Sequence, residues 1–155
     1  MLKGGKQDFK QAALATAIVV LLSALAAATP IEDFISLYPY PSHPWILYWR
    51  IALVMLFTWL LASAFASKER TLLAWLMLVS AVALAVAHYA QLLIVTRTGV
   101  EASFYPFFYK LRHMGGETLY LDIAQVVLVI TLVELALISK KHLRTASSGS
   151  QTPSR

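Results

Sequence analysis

The sequence predicts an all-α integral membrane four-helix bundle with both termini cytoplasmic, aromatic outer loops and a disordered C-terminal tail. Three observations carry that expectation. The chain runs from Thr71 to Thr96 without one Asp, Glu, Lys or Arg. At about 1.5 Å per residue, such a helix is longer than a hydrocarbon core about 30 Å thick. Hydrophobic residues make up 59% of the chain and charged residues only 14%, where soluble domains carry about 25% charged residues. Lys and Arg gather at the ends of the apolar runs, as the positive-inside rule requires.

The first span is expected over Gln11 to Thr29, closed by Pro30 and the acidic pair Glu32 and Asp33. Lys3, Lys6 and Lys10 before it, and Ala26-Ala27-Ala28 at its end, also fit a signal peptide. The uncharged run exceeds the usual apolar core of about 7–15 residues, which favours a retained helix. The second span is Pro44 to Ala66, interrupted by Arg50 and ended by Lys68, Glu69 and Arg70. Thr71 to Thr96 is the third, stopped by Arg97 and Gly99. The fourth, Leu119 to Ser139, follows Gly115-Gly116, carries Asp122 and Glu134, and stops at Lys140 and Lys141. Residues 1–144 then form one domain, and the polar run 145–155 cannot bury enough apolar surface to fold.

With alternating spans, Lys3, Lys6, Lys10, Lys68, Arg70, Lys140, Lys141, Arg144 and Arg155 share one side. Arg97, Lys110 and Arg112 lie on the other, mixed with Glu32, Asp33, Glu101 and Glu117. The basic side is cytoplasmic. A multi-pass protein of the cell membrane is the expected location, with the lipid bilayer as its solvent. The basic helix ends suit topology and anionic headgroups rather than nucleic acid.

Small residues let helices approach closely in lipid. Ser80, Ala83, Ala87 and Ala90 form such a stripe on the third span, and Ala12, Thr16, Ser23 and Ala27 on the first. Ala62, Ser63, Ala64 and Ala66 thin the inner end of the second. Intimate contact between the first and third spans follows, leaving Leu56, Phe57, Trp59 and Leu60 to face lipid or a partner. The outer loops carry Phe34, Tyr38, Tyr40, Trp45, Tyr48 and Trp49, and then Phe104-Tyr105-Pro106-Phe107-Phe108-Tyr109. These rings are expected to form an interfacial belt or to fold back on the bundle, because an amphipathic ring suits that depth.

Ionisable groups inside a bilayer are costly and mark sites or pins. Arg50, His88, Gln91, Asp122 and Gln125 fall at comparable depth in the outer leaflet, so a polar cluster is expected there. An Arg50–Asp122 pair pinning three helices is the plain reading, with Arg50 snorkelling outward as another. A site for a quinone headgroup or a proton on His88 is the sharper one. A b-type haem on His88 would need a second axial ligand from His113 or Met55, or a second subunit. The cofactor is otherwise undetermined, and no metal-ligand spacing is present. Glu134 lies near the inner boundary, away from that cluster, as an anchor, a protonatable carboxylate or a partner contact.

Many chemistries are excluded. The chain has no cysteine, which removes thiol catalysis, disulfides and iron–sulfur ligation. No Gly-rich phosphate loop, HExxH or GxSxG occurs. No reaction is indicated, so no catalytic residue is assigned. The favoured function is a non-enzymatic accessory or assembly subunit of a larger membrane complex, with protein partners or a homo-oligomer. A haem b or quinone redox subunit using His88 is one alternative. The other is a small proton-coupled transporter or channel using Glu134 and the outer cluster.

Overall fold

The computed structural model describes residues 5–30, 43–67, 69–113 and 115–148. In chain order these form α1 (Gly5–Ala28), α2 (Ile46–Phe65), α3 (Thr71–Thr96), β1 (Glu101–Tyr105), β2 (Phe108–His113), β3 (Gly116–Leu121) and α4 (Ile123–Ser148). Phe34, Tyr38 and Tyr40, the acidic pair Glu32 and Asp33, and residues 149–155 of the expected tail lie outside the described residues.

Among the described residues three helices are long and apolar enough to cross a membrane: Lys6–Ala28, Ile46–Phe65 and Thr71–Thr96. The apolar part of α4, Ile123–Ser139, is shorter than these. The expected fourth span from Leu119 is corrected here. Leu119, Tyr120 and Leu121 belong to β3, and the helix starts at Ile123. The second outer loop is likewise a sheet. Its strands are antiparallel in the order β1-β2-β3, with Glu101 opposite Arg112, Tyr105 opposite Phe108, and Phe108 opposite Leu121.

The local sequence explains the sheet. Ala102 and Phe104 on β1, Leu111 and Tyr109 on β2, and Thr118 and Tyr120 on β3 share one face by strand alternation. Aromatic and β-branched residues favour that pleated surface. Pro106 and Phe107 make the two-residue turn between β1 and β2, with φ 65° at Phe107. Proline first and positive φ second is the pattern of a type II turn, which ordinarily places glycine at the second position. Gly99 has φ 87° just beyond α3 and lets the chain leave the helix and reverse into β1.

The core is a seam of small and flexible residues. Val19 of α1, Ala52, Met55, Trp59 and Ala62 of α2, Met77, Ala81, Leu84 and Ala87 of α3, and Val127 of α4 pack together. The most extensive helix contact is α2 against α3 rather than α1 against α3. Ser80 and Ala87 of the expected stripe are buried. On α1 the buried residues are Ala15, Val19 and Ala26, whereas Thr16 is exposed and bonds back to Ala12 O. That face is rotated from the stripe predicted for α1. Gln11 and Thr71 are hydrogen-bonded side chain to side chain, which places the starts of α1 and α3 together.

Trp59 corrects a further expectation. Phe57 and Leu60 are exposed as anticipated, but Trp59 is buried and its indole N–H donates to Thr131 Oγ1 at 2.8 Å. One turn further along both helices, Ser63 Oγ donates to Glu134 Oε1 at 2.7 Å. Both partners advance together in sequence, so α2 and α4 run parallel, as an alternating path of four helices requires.

Candidate functional site

Asp122 organises the end of the bundle at which α4 begins. It stands immediately before α4 and is fully buried. Its Oδ1 accepts the backbone N–H of Gln125 at 3.1 Å, and its Oδ2 accepts Gln125 Nε2 at 2.9 Å. This is an N-cap reinforced from the third helical position, and it satisfies a backbone donor that α4 cannot. The Tyr89 hydroxyl of α3 donates to the same Oδ2 at 2.9 Å. One carboxylate therefore starts α4 and ties it to α3.

The cap also holds the sheet. The Asp122 backbone N–H donates to Phe107 O at 2.8 Å, and the Phe107 N–H donates to Gln125 Oε1 at 3.0 Å. Both backbone groups of the strained turn residue thus find partners at the start of α4. A non-glycine residue with positive φ costs about 1–3 kcal/mol, and two hydrogen bonds offset part of that.

Aromatic rings fill the space between sheet and helices. The His88 ring meets Tyr89 and Tyr109 edge-on at centroid distances of 5.5 and 5.6 Å. Tyr109 stacks on Tyr120 at 5.3 Å, and Tyr89 meets Phe104 at 6.2 Å. Burial, with Tyr120 and Asp122 nearby, pushes the Tyr109 hydroxyl above its ordinary range. His88 Nε2 lies 3.7 Å from Asp122 Oδ1 and makes no hydrogen bond among the described residues. It is a close neighbour of the carboxylate and contributes no bonded proton to it.

The other predicted residues divide clearly. His88, Asp122 and Gln125 do come together. Arg50 does not pair with Asp122. Its guanidinium donates to Ala27 O at 3.1 Å, at the carbonyl end of α1, where a cation suits the helix terminus. Gln91 is partly buried and has no hydrogen bond to the cluster among the described residues. Glu134 stands apart, with Oε1 bonded to Ser63 and Oε2 buried without a partner among the described residues. His113 is exposed at the far end of β2 from the cluster, and Met55 sits in the core against Ser23. Neither faces His88 as a second axial ligand. No group of His, Cys, Asp or Glu among the described residues could hold a metal ion.

Tyr89, Tyr109, Tyr120 and Phe107, with Trp59, Thr131 and Ser63 below, are the contributors that residue-by-residue reading missed. Asp122-x-x-Gln125 before an apolar run is a capping signature and was available as a signal. The aromatic partners carried no such signal, because their meeting depends on the sheet.

On the opposite face of the sheet, Arg112 Nε donates to Glu117 Oε1 at 2.7 Å, and Lys110 also pairs with Glu117. Arg112 Nη1 lies 3.8 Å from Glu101. The hydrogen bond from Lys110, then that from Arg112, holds the Glu117 carboxyl below its usual range. Compared with known proteins, the chain matches no family model, no curated protein and no solved structure.

Proposed function

We propose that this chain is a non-enzymatic, multi-pass membrane subunit that assists or assembles a larger membrane complex. In this reading α4 is a fourth span, both termini are cytoplasmic, and the sheet lies on the outer side of the cell membrane. The observation that supports it most is the bonding of Asp122. The carboxylate best placed for chemistry has both oxygens engaged by Gln125 and Tyr89, and its backbone holds the turn at Phe107. Such a group builds a surface rather than turning over a substrate. The partners are other membrane proteins or further copies of this chain, meeting the exposed apolar helix faces.

Gentle extraction in several mild detergents, followed by mass spectrometry of co-purifying proteins and native mass measurement, tests this. A reproducible set of membrane partners or a defined oligomer is expected. A lone monomer in every detergent would overturn it.

One observation favours a second reading. Glu134 Oε2 is buried with no hydrogen-bond partner among the described residues, which suits a carboxyl that gains and loses a proton in a transport cycle. Proton flux into liposomes that Glu134→Gln abolishes would establish it. Flux equal to empty liposomes in the unaltered protein would exclude it.

A further inference from the structure

We propose that the apolar end of the three-stranded sheet is seated in the outer lipid leaflet, at the boundary between headgroups and acyl chains. This rests on the reading that the helices span a bilayer. It adds a contact that helix hydropathy does not contain.

The sheet's outward face changes character along the strands. Its rows, read from the pairing, are Glu101–Arg112–Glu117, then Ser103–Lys110–Leu119, then Tyr105–Phe108–Leu121. From Arg112 to Phe108 is about 14 Å of extended chain, and over that distance the face turns from fully charged to fully apolar. Leu119 is 62% exposed, Leu121 50% and Phe107 41%. A contiguous apolar patch of this kind marks a contact surface. A polarity gradient over such a length is what a bilayer surface presents. At the charged end Glu101 and Glu117 are balanced by Arg112 of the same row and by Lys110 of the adjoining one, which pairs with Glu117, so that end offers no net charge to draw a charged protein partner.

Depth agrees. The turn at Phe107 is bonded to Asp122 and Gln125, and Asp122 to Tyr89. Tyr89 lies about two turns before the end of α3, so the turn sits about 10–12 Å below the outer end of that helix. With 26 residues, α3 is about 39 Å long and outreaches a hydrocarbon core of about 30 Å. The turn therefore falls near the outer edge of that core while α3 continues past it. Backbone bonding fits the same place. Away from water an unpaired N–H or C=O is costly, and at Phe107 both groups are paired within the protein.

The chain has no cysteine, so single spin labels report position directly. Labels at Phe107→Cys and Leu119→Cys test the apolar end, Glu101→Cys the charged end, and Phe57→Cys, exposed midway along α2, the spans themselves. Each variant is reconstituted in phosphatidylcholine vesicles, and collisions with oxygen and with a water-soluble nickel chelate are measured. Labels at 107 and 119 should show several-fold lower chelate accessibility than at 101, and oxygen accessibility between those at 101 and 57. Chelate accessibility at 107 and 119 equal to that at 101, with 57 still protected, overturns the proposal and leaves the spans intact. Loss of access to both reagents at 107 and 119 overturns it in favour of a covering protein surface or second copy. A water-accessible label at 57 overturns the membrane reading itself.

Discussion

Asp122 and Glu134 are both carboxylates of α4, and the structure treats them in opposite ways. Asp122 is bonded through both oxygens and through its backbone, and three elements meet on it. Glu134 is bonded through one oxygen to one hydroxyl, and its other oxygen has no partner among the described residues. The lesson concerns position along the helix. A carboxylate at a helix start meets unsatisfied backbone donors that want an acceptor, whereas one inside the helix finds every nearby donor already used. The start of α4 is thereby locked, and its middle is held by side chains reaching across from α2.

The sharpest way to break this contrast is Asp122→Ala. It removes a helix cap and leaves the Tyr89 hydroxyl and the Gln125 amide without their acceptor. The expected cost is about 3 kcal/mol, from roughly 1 for the cap and the rest for stranded donors. Reversible unfolding in mixed micelles measures it, and amide exchange over 101–121 should accelerate with it. Asp122→Asn keeps the cap and should cost about 1 kcal/mol. Equal losses for Ala and Asn would mean that charge, not capping, matters at this position.

Next in size, Trp59→Phe removes the indole donor to Thr131 and should cost about 1 kcal/mol, with Thr131 still bonded to Val127 O. Ser63→Ala should cost only about 0.6 kcal/mol, the average for interhelical bonds in a membrane. Both are read in the same unfolding assay. A Ser63→Ala loss as large as that of Asp122→Ala would erase the distinction between the two ends.

The smallest effect is a pH dependence confined to the sheet. Glu117 is held below its ordinary value of 4.5 by Lys110 and Arg112. Its contribution is therefore complete above the unfolded value and fades as pH falls through the lower folded one. Amide exchange in β2 and β3 should rise modestly as the pH falls below about 4.5, and Glu117→Gln should remove that rise. An unchanged slope in Glu117→Gln would assign the acid sensitivity to another carboxylate. Because the group is exposed, the effect should shrink in high salt.

Three apolar helices were legible because hydropathy is additive. Thr71–Thr96 carries no Asp, Glu, Lys or Arg and is mostly apolar, and no partner need be known. The cluster of His88, Asp122 and Gln125 was half legible, since helix direction and depth brought those residues level. Arg50 donates to Ala27 O at the end of α1, a contact hydropathy does not signal, because a cation near a helix end can be drawn by carbonyls as well as by carboxylates. The strands were hidden inside a segment read as a loop. Glu101 to Leu121 alternates in the manner of strands, but its aromatic content is equally that of an interfacial belt.

By itself, then, the sequence determined where three helices long and apolar enough to cross a membrane run, because the hydropathy of a long uncharged segment is a property of that segment alone. The tertiary structure decided where α4 begins, which rings surround His88, and which of two carboxylates is saturated. Those outcomes depend on directional bonds between residues distant in the chain, such as Tyr89 with Asp122 and Phe107 with Gln125. A hydrogen bond specifies its partner by geometry, and that geometry exists only once the helices and the sheet have met.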